Sequence, residues 1–268
     1  MVEQAHAVAA AAEHAAESSG AMPELPNLVT IVNHLWPQQP AAHFLHRWEN
    51  VCFAWLVAGG LCAALAFAAR RLQMVPDRRQ SLVEMIIEGL DNMVTGILGH
   101  DGRHYTPFIG TLFLYILGMN LAGLVPGMKS PTASINTTAA LAGCVFLYVQ
   151  YTGIRRQGLL KYLRHLMGEP IFLAPLNLPL HIVGELIKPL SLSLRLFANI
   201  TGEDLTLYYL VTLGVLCLGA RTFVGVPFQI FFYPLAILFS LIQALVFSLL
   251  STVYISLMLP HEEPAAGH

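Results

Sequence analysis

Charge is scarce in this sequence. Lys, Arg, Asp and Glu supply 11% of 268 residues, against about 25% in a soluble domain, while 56% are hydrophobic and the mean hydropathy is +0.62. That shortage excludes an ordinary soluble fold, and an all-α membrane protein forming one integral unit is expected. The net charge of −2 points to no particular partner, and nucleic acid is not expected. Cysteine is also sparse: Cys52, Cys62, Cys144 and Cys217 all lie inside apolar runs with no CxxC spacing. No disulfide framework is implied, and the four are expected to be small buried hydrophobes. No GxxxxGK[ST] loop is present to cradle a nucleotide phosphate, so ATP chemistry is expected to belong elsewhere, and no cofactor is expected. The N-terminus lacks a basic region and carries Glu3, Glu13 and Glu17, which argues against a secretory signal. Residues 1–42 are expected to be an extramembrane tail, and the irregular spacing of His6, His14, His34, His43 and His46 fits solvated side chains better than metal ligands.

What the sequence has in abundance is long apolar runs. Val51–Ala69 is long enough for one membrane helix, with Trp48 at the interface. Ser81–Gly99 places Glu84, Glu88, Asp91 and Asn92 at helical spacing among apolar residues, the pattern of an amphipathic surface helix. Pro107–Val125 and Thr137–Ile154 are two more spans, joined by the turn-forming Pro126–Asn136. Two longer runs, about 173–218 and 226–259, complete the chain. With the N-terminus outside and the C-terminus cytoplasmic, Arg70, Arg71, Arg78, Arg79, Arg103, Arg155, Arg156, Lys161 and Arg164 fall inside, and only Arg47, Lys129 and Arg221 outside. The expectation is five membrane helices plus one amphipathic surface helix in a domain over 43–263, followed by a C-terminal tail at 264–268. As helices of roughly 34 and 40 or more residues, the last two runs would extend about 50 Å and at least about 60 Å against a hydrocarbon core of about 30 Å, so a long, steeply tilted hairpin is expected.

The fourth run contains charge where the rest of the chain avoids it. At about 100° per residue, His181, Glu185, Lys188, Arg195, Asn199 and Glu203 fall within an arc of roughly 80°, Asp204 points away, and Leu192 interrupts the stripe. Glu185 and Lys188, at i,i+3, suit a helix-holding ion pair. A charge at the bilayer centre costs at least about 2.5 kcal/mol, however, so such groups usually mark ion paths. Arginine keeps its proton at physiological pH, so it can attract or block a carboxylate without relaying a proton. In the last run Gln229, Tyr233, Ser240, Gln243, Ser251 and Tyr254 share a similar arc, suited either to interhelical hydrogen bonds or to lining a water path. Paired as a hairpin, the two runs are expected to bring Gln243 beside Arg195 and turn one wet face toward a partner.

These residues resemble the a subunit of bacterial F-type ATP synthase, the stator of a proton-driven rotor. "KPLSLSLRLFANITGEDL" (Lys188–Leu205) is similar to that family's signature, in which Arg195 is the essential arginine and Asn199 the asparagine one turn on. "NLAGLVPGMKSPTASINTT" (Asn120–Thr138) resembles its second signature, and "FSLIQALVFSLLSTVYISLMLPHEE" (Phe239–Glu263) its C-terminal helix, with Gln243 facing the arginine. The resemblance implies a non-catalytic, proton-translocating stator in the bacterial inner membrane, partnered by a c-subunit ring, peripheral-stalk b subunits and the rest of the synthase. It implies two offset half-channels to and from the ring carboxylate, with Arg195 preventing a short circuit. The expected half-channel residues are His181, Glu185, Lys188, Asn199, Glu203, Asp204, Tyr233, Ser240 and Gln243.

The chain departs from the family's pattern at two places. His181 stands where many relatives carry glutamate, so the carboxylate role there is expected one turn on, at Glu185. Asp204 aligns with the family's acid after the arginine, whereas the helical arc favours Glu203, so both are named. Ala236 stands where some members place a histidine, which leaves water, Ser240 or Tyr233 as the expected relay. A stand-alone proton or cation transporter is the alternative, but that class often shows repeated halves and no internal repeat is visible here. A passive scaffold leaves the charged stripe without a purpose.

Overall fold

A computed structural model describes residues 48–69, 78–125, 128–158, 174–217 and 228–259. They form six α-helices: α1 (Glu49–Ala69), α2 (Arg78–Leu98), α3 (Thr106–Gly123), α4 (Ile135–Gln157), α5 (Ala174–Cys217) and α6 (Phe228–Met258). Short 3-10 turns, Gly99–His104 and Pro131–Ala133, join α2 to α3 and lead into α4. Four helices are long and apolar enough to cross a membrane: α1, α3, α4 and α6. The amphipathic α2 and the long, charge-bearing α5 are not among them, so the expected five spans stand at four by length and composition. At 44 residues, α5 extends about 66 Å and runs through Pro179 and Pro189.

The core lies where α2, α3, α4, α5 and α6 meet. Val94, Ile109, Ile116, Met119, Leu196, Phe247 and Ile255 are fully enclosed there. Burying each such side chain contributes about 1.5–3 kcal/mol relative to water, although helices already in lipid gain chiefly through close packing. α6 packs against α3 and α5, and α5 against α4 and α6. The amphipathic α2 buries Leu90 and Val94 in this core and is held to α3 by Asp91, whose carboxylate accepts a hydrogen bond from Thr106 Oγ1 at 2.7 Å and sits 3.6 Å from Arg103 Nε. Gly102 allows the tight turn between them, since a Cβ there would lie 2.8 Å from the Thr95 Cα.

By contrast, α1 touches mainly α3, where Tyr115 Oη donates to the Ala54 carbonyl at 3.3 Å, and it leaves Trp55 76% exposed. The cysteine expectation needs correcting for three of the four, the side chain of Cys217 lying outside the described residues. Cys62 and Cys144 are exposed and Cys52 is half-buried, because the apolar faces of α1 and α4 that carry them point outward from this chain. At one end of the bundle Gln157 Nε2 donates to the Met258 carbonyl at 2.7 Å, so α4 and α6 end on the same face.

Candidate functional site: the seam between α5 and α6

The polar stripe of α5 divides into three parts. Toward its N-terminal half, Lys188 Nζ pairs with Glu185 Oε1, and Gln150 Nε2 of α4 donates to Glu185 Oε2 at 3.3 Å. The Lys188 ammonium also lies 5.8 Å from the centre of the Tyr254 ring on α6. This is the helix-holding pair that i,i+3 spacing allowed, tied to both neighbouring helices. His181, one turn earlier, is exposed and outside this cluster.

Arg195 stands at the midpoint of α5. It is exposed, and among the described residues no carboxylate and no hydrogen-bond acceptor pairs with it. Its neighbours toward the core, Leu192 and Leu196, are buried. The guanidinium therefore borders the seam while facing away from the chain's own interior.

Beyond the arginine, Asn199 Nδ2 donates to Gln243 Oε1 of α6 at 2.5 Å. Gln243 was expected beside Arg195; its hydrogen bond goes instead to Asn199, one turn farther along. Glu203 is buried at 9% exposure and Asp204 is half-buried. On α6, Ser240 and Gln243 are enclosed, yet Ser240 Oγ and Gln243 Nε2 have no protein partner, while Tyr233 is half-buried. Unpaired buried polar atoms of this kind normally meet ordered water. Ala236 is fully buried on the same helix.

The matching arrangement at the end of α3 was not legible from the stripe. Thr132 Oγ1 donates to Asn120 Oδ1 at 2.9 Å and lies 2.6 Å from Ser130 Oγ, which donates to the Met119 carbonyl at 3.2 Å. Gly123 is needed there, because a Cβ would fall 2.7 Å from that of Ser130. Close by, Ser193 Oγ donates to Thr138 Oγ1 at 3.2 Å and ties α5 to α4 half a turn from Arg195. The turn after α3 and the start of α4 thus brace the segment of α5 that carries the arginine.

Residues 51–256 match the family described as ATP synthase A chain. The chain belongs to that family. It is 45% identical over 248 residues to ATP synthase subunit a of Protochlamydia amoebophila, covering 90% of this chain and 91% of the relative. It is 41% identical over 215 residues to the protein of that name from Oleidesulfovibrio alaskensis, covering 80% and 88%. The ATP synthase subunit a of Geobacter sulfurreducens is 41% identical over 207 residues, covering 77% and 86%. Membership in the ATP synthase a-chain family, with four membrane-competent helices, makes this a multi-pass membrane protein.

Proposed function

We propose that this chain is the proton-translocating stator subunit of a bacterial rotary ATP synthase and holds no catalytic site of its own. Arg195 carries the proposal. A permanently charged guanidinium at the midpoint of a long helix, exposed and unpaired among the described residues, is costly in lipid unless a partner presents a counter-charge. A ring of c subunits passing this face would offer a carboxylate to it. Peripheral-stalk b subunits would hold the chain still in the inner membrane.

In this reading α5 also crosses the membrane, as the fourth of five such helices in chain order, and pairs with α6, the fifth, as a tilted hairpin along the ring. The N-terminus lies outside and the C-terminus in the cytoplasm. Protons approach the ring carboxylate through the half-channel of Asn199, Glu203, Asp204, Tyr233, Ser240 and Gln243, and leave through that of His181, Glu185 and Lys188. Because guanidinium does not give up its proton, Arg195 releases the carboxylate's proton to one side only and prevents direct transfer between the half-channels. Arg195→Ala is expected to abolish ATP synthesis and ATP-driven pumping in membranes where the complex still assembles. Normal coupled synthesis in that variant would refute the assignment.

A further inference from the structure

Arg195 cannot guard every route between the two polar clusters, because it faces outward. The seam between α5 and α6 is a second, internal route. The contacts Lys188–Tyr254 and Asn199–Gln243 advance by eleven residues in opposite directions on the two helices, so α5 and α6 run antiparallel in one register. The two contacts are about 16 Å apart along the helix axes. Between them that register sets Leu192 level with Leu250, and Arg195 and Leu196 level with Phe247.

Apolar side chains dominate the seam over this interval, although the buried Ser251 shares the arc of α6 that carries Gln243 and Tyr254. Leu192 is 2% exposed, and Leu196 and Phe247 are fully enclosed and belong to one packed cluster with Leu250. Phe247 lies one turn from Gln243 and two from Tyr254, on the side of α6 that meets α5. Three hydroxyls of α6 lie near this interval, and one of them, Ser248 Oγ, is buried without a protein partner. Ser251 Oγ and Thr252 Oγ1 each donate, at 2.8 Å, to a carbonyl of their own helix. Ser248 lies roughly 140° around α6 from Gln243. Polar groups resume on both sides: Glu185, Lys188 and Tyr254 border a small, mostly apolar cavity that Leu192 also lines, and beyond Phe247 come the unpaired Gln243 Nε2 and Ser240 Oγ.

We propose that Leu192, Leu196 and Phe247 form a dry septum that keeps the two half-channels from joining inside the subunit. A proton hops only along a continuous chain of hydrogen-bonding groups, and an apolar constriction expels the water that would complete one. The block on leakage is therefore double: Arg195 acts on the exposed, ring-facing side and the septum within the chain. This rests on the proton-conducting reading above.

The test uses the intact synthase reconstituted in liposomes, with the ring carboxylates blocked by a carbodiimide so that rotation carries no current. Passive proton flux is then followed with an enclosed pH-sensitive dye. Phe247→Ser and Leu196→Ser are each expected to raise this flux about tenfold, equivalent to lowering the barrier by about 1.4 kcal/mol, while Phe247→Leu leaves it unchanged. An unchanged flux in both serine variants, in complexes that assemble, overturns the septum. If the serine variants fail to assemble, single cysteines placed in a background lacking the native four decide the matter. Gln243→Cys and Tyr254→Cys are expected to react with a small charged thiol reagent at least about tenfold faster than Leu196→Cys and Phe247→Cys, the same barrier difference read as a rate. Equal reactivity at all four positions also overturns it. Either failure leaves the Arg195→Ala outcome standing, whereas normal coupling in Arg195→Ala removes the half-channels themselves.

Discussion

Lys188 and Arg195 stand seven residues apart on the same helix, and their surroundings differ completely. Lys188 is neutralised inside the chain by Glu185, with Gln150 and Tyr254 closing around the pair. Arg195 is exposed and has no partner among the described residues. Two cations two turns apart are thus used in opposite ways: one binds its own chain together, and the other is left for something outside it. A buried, self-paired charge organises helices, whereas an unpaired one at this depth would be expensive without a function.

The sharpest way to break this contrast is to exchange the two side chains' chemistry. Arg195→Lys is expected to reduce ATP-driven pumping in membrane vesicles to background, because an ammonium can shed its proton in a low-dielectric site. Lys188→Arg is expected to retain most activity, since the pair with Glu185 needs only a positive charge. Equal tolerance at both positions would erase the distinction.

A smaller effect is expected at the two neighbouring acids. Glu203 lies on the buried face and Asp204 is half-buried, so Glu203→Gln should slow pumping several-fold more than Asp204→Asn. Similar rates in the two variants, measured by proton uptake, would show that burial does not separate their roles.

Next in size is the self-paired side of the comparison. Glu185→Gln leaves Lys188 without its counter-charge and should cost about 1–3 kcal/mol, less than the ~3–5 kcal/mol of a fully buried pair because Lys188 is 27% exposed. Adding Lys188→Met should recover most of that loss. Thermal denaturation of the solubilised complex measures both, and a single variant as stable as the parent would mean that the pair holds nothing together. Smallest of all is the link beyond the arginine: a double-mutant cycle on Asn199→Leu and Gln243→Leu is expected to give a coupling of about 0.6 kcal/mol, the usual value for hydrogen bonds between membrane helices. A coupling of zero would show that the contact does not tie α5 to α6.

Much of this architecture was legible without coordinates. The apolar run expected at 173–218 is α5, Ala174–Cys217, and the amphipathic stretch expected at Ser81–Gly99 is α2, Arg78–Leu98. The Glu185–Lys188 pair was legible because both partners lie on one turn of one helix. Gln150 was not, since it reaches Glu185 from α4, 35 residues away in sequence. Nor was the pairing of Gln243 with Asn199, which depends on the register of two helices whose contacting residues are 44 apart. The cysteines misled for a related reason: an apolar context in a membrane protein does not separate burial in the chain from exposure toward lipid or a partner, and Cys62 and Cys144 are exposed.

The sequence by itself determined the membrane character, the helices and the polar stripe of α5, because hydropathy and the 3.6-residue period are properties of neighbouring residues. Only the tertiary structure decided which part of the stripe is neutralised inside the chain, which is left open at Arg195, and that Phe247 is enclosed against the core alongside Leu196. Those outcomes depend on which faces of α4 and α6 come to rest against α5, and packing between distant segments sets that, beyond the reach of any local pattern.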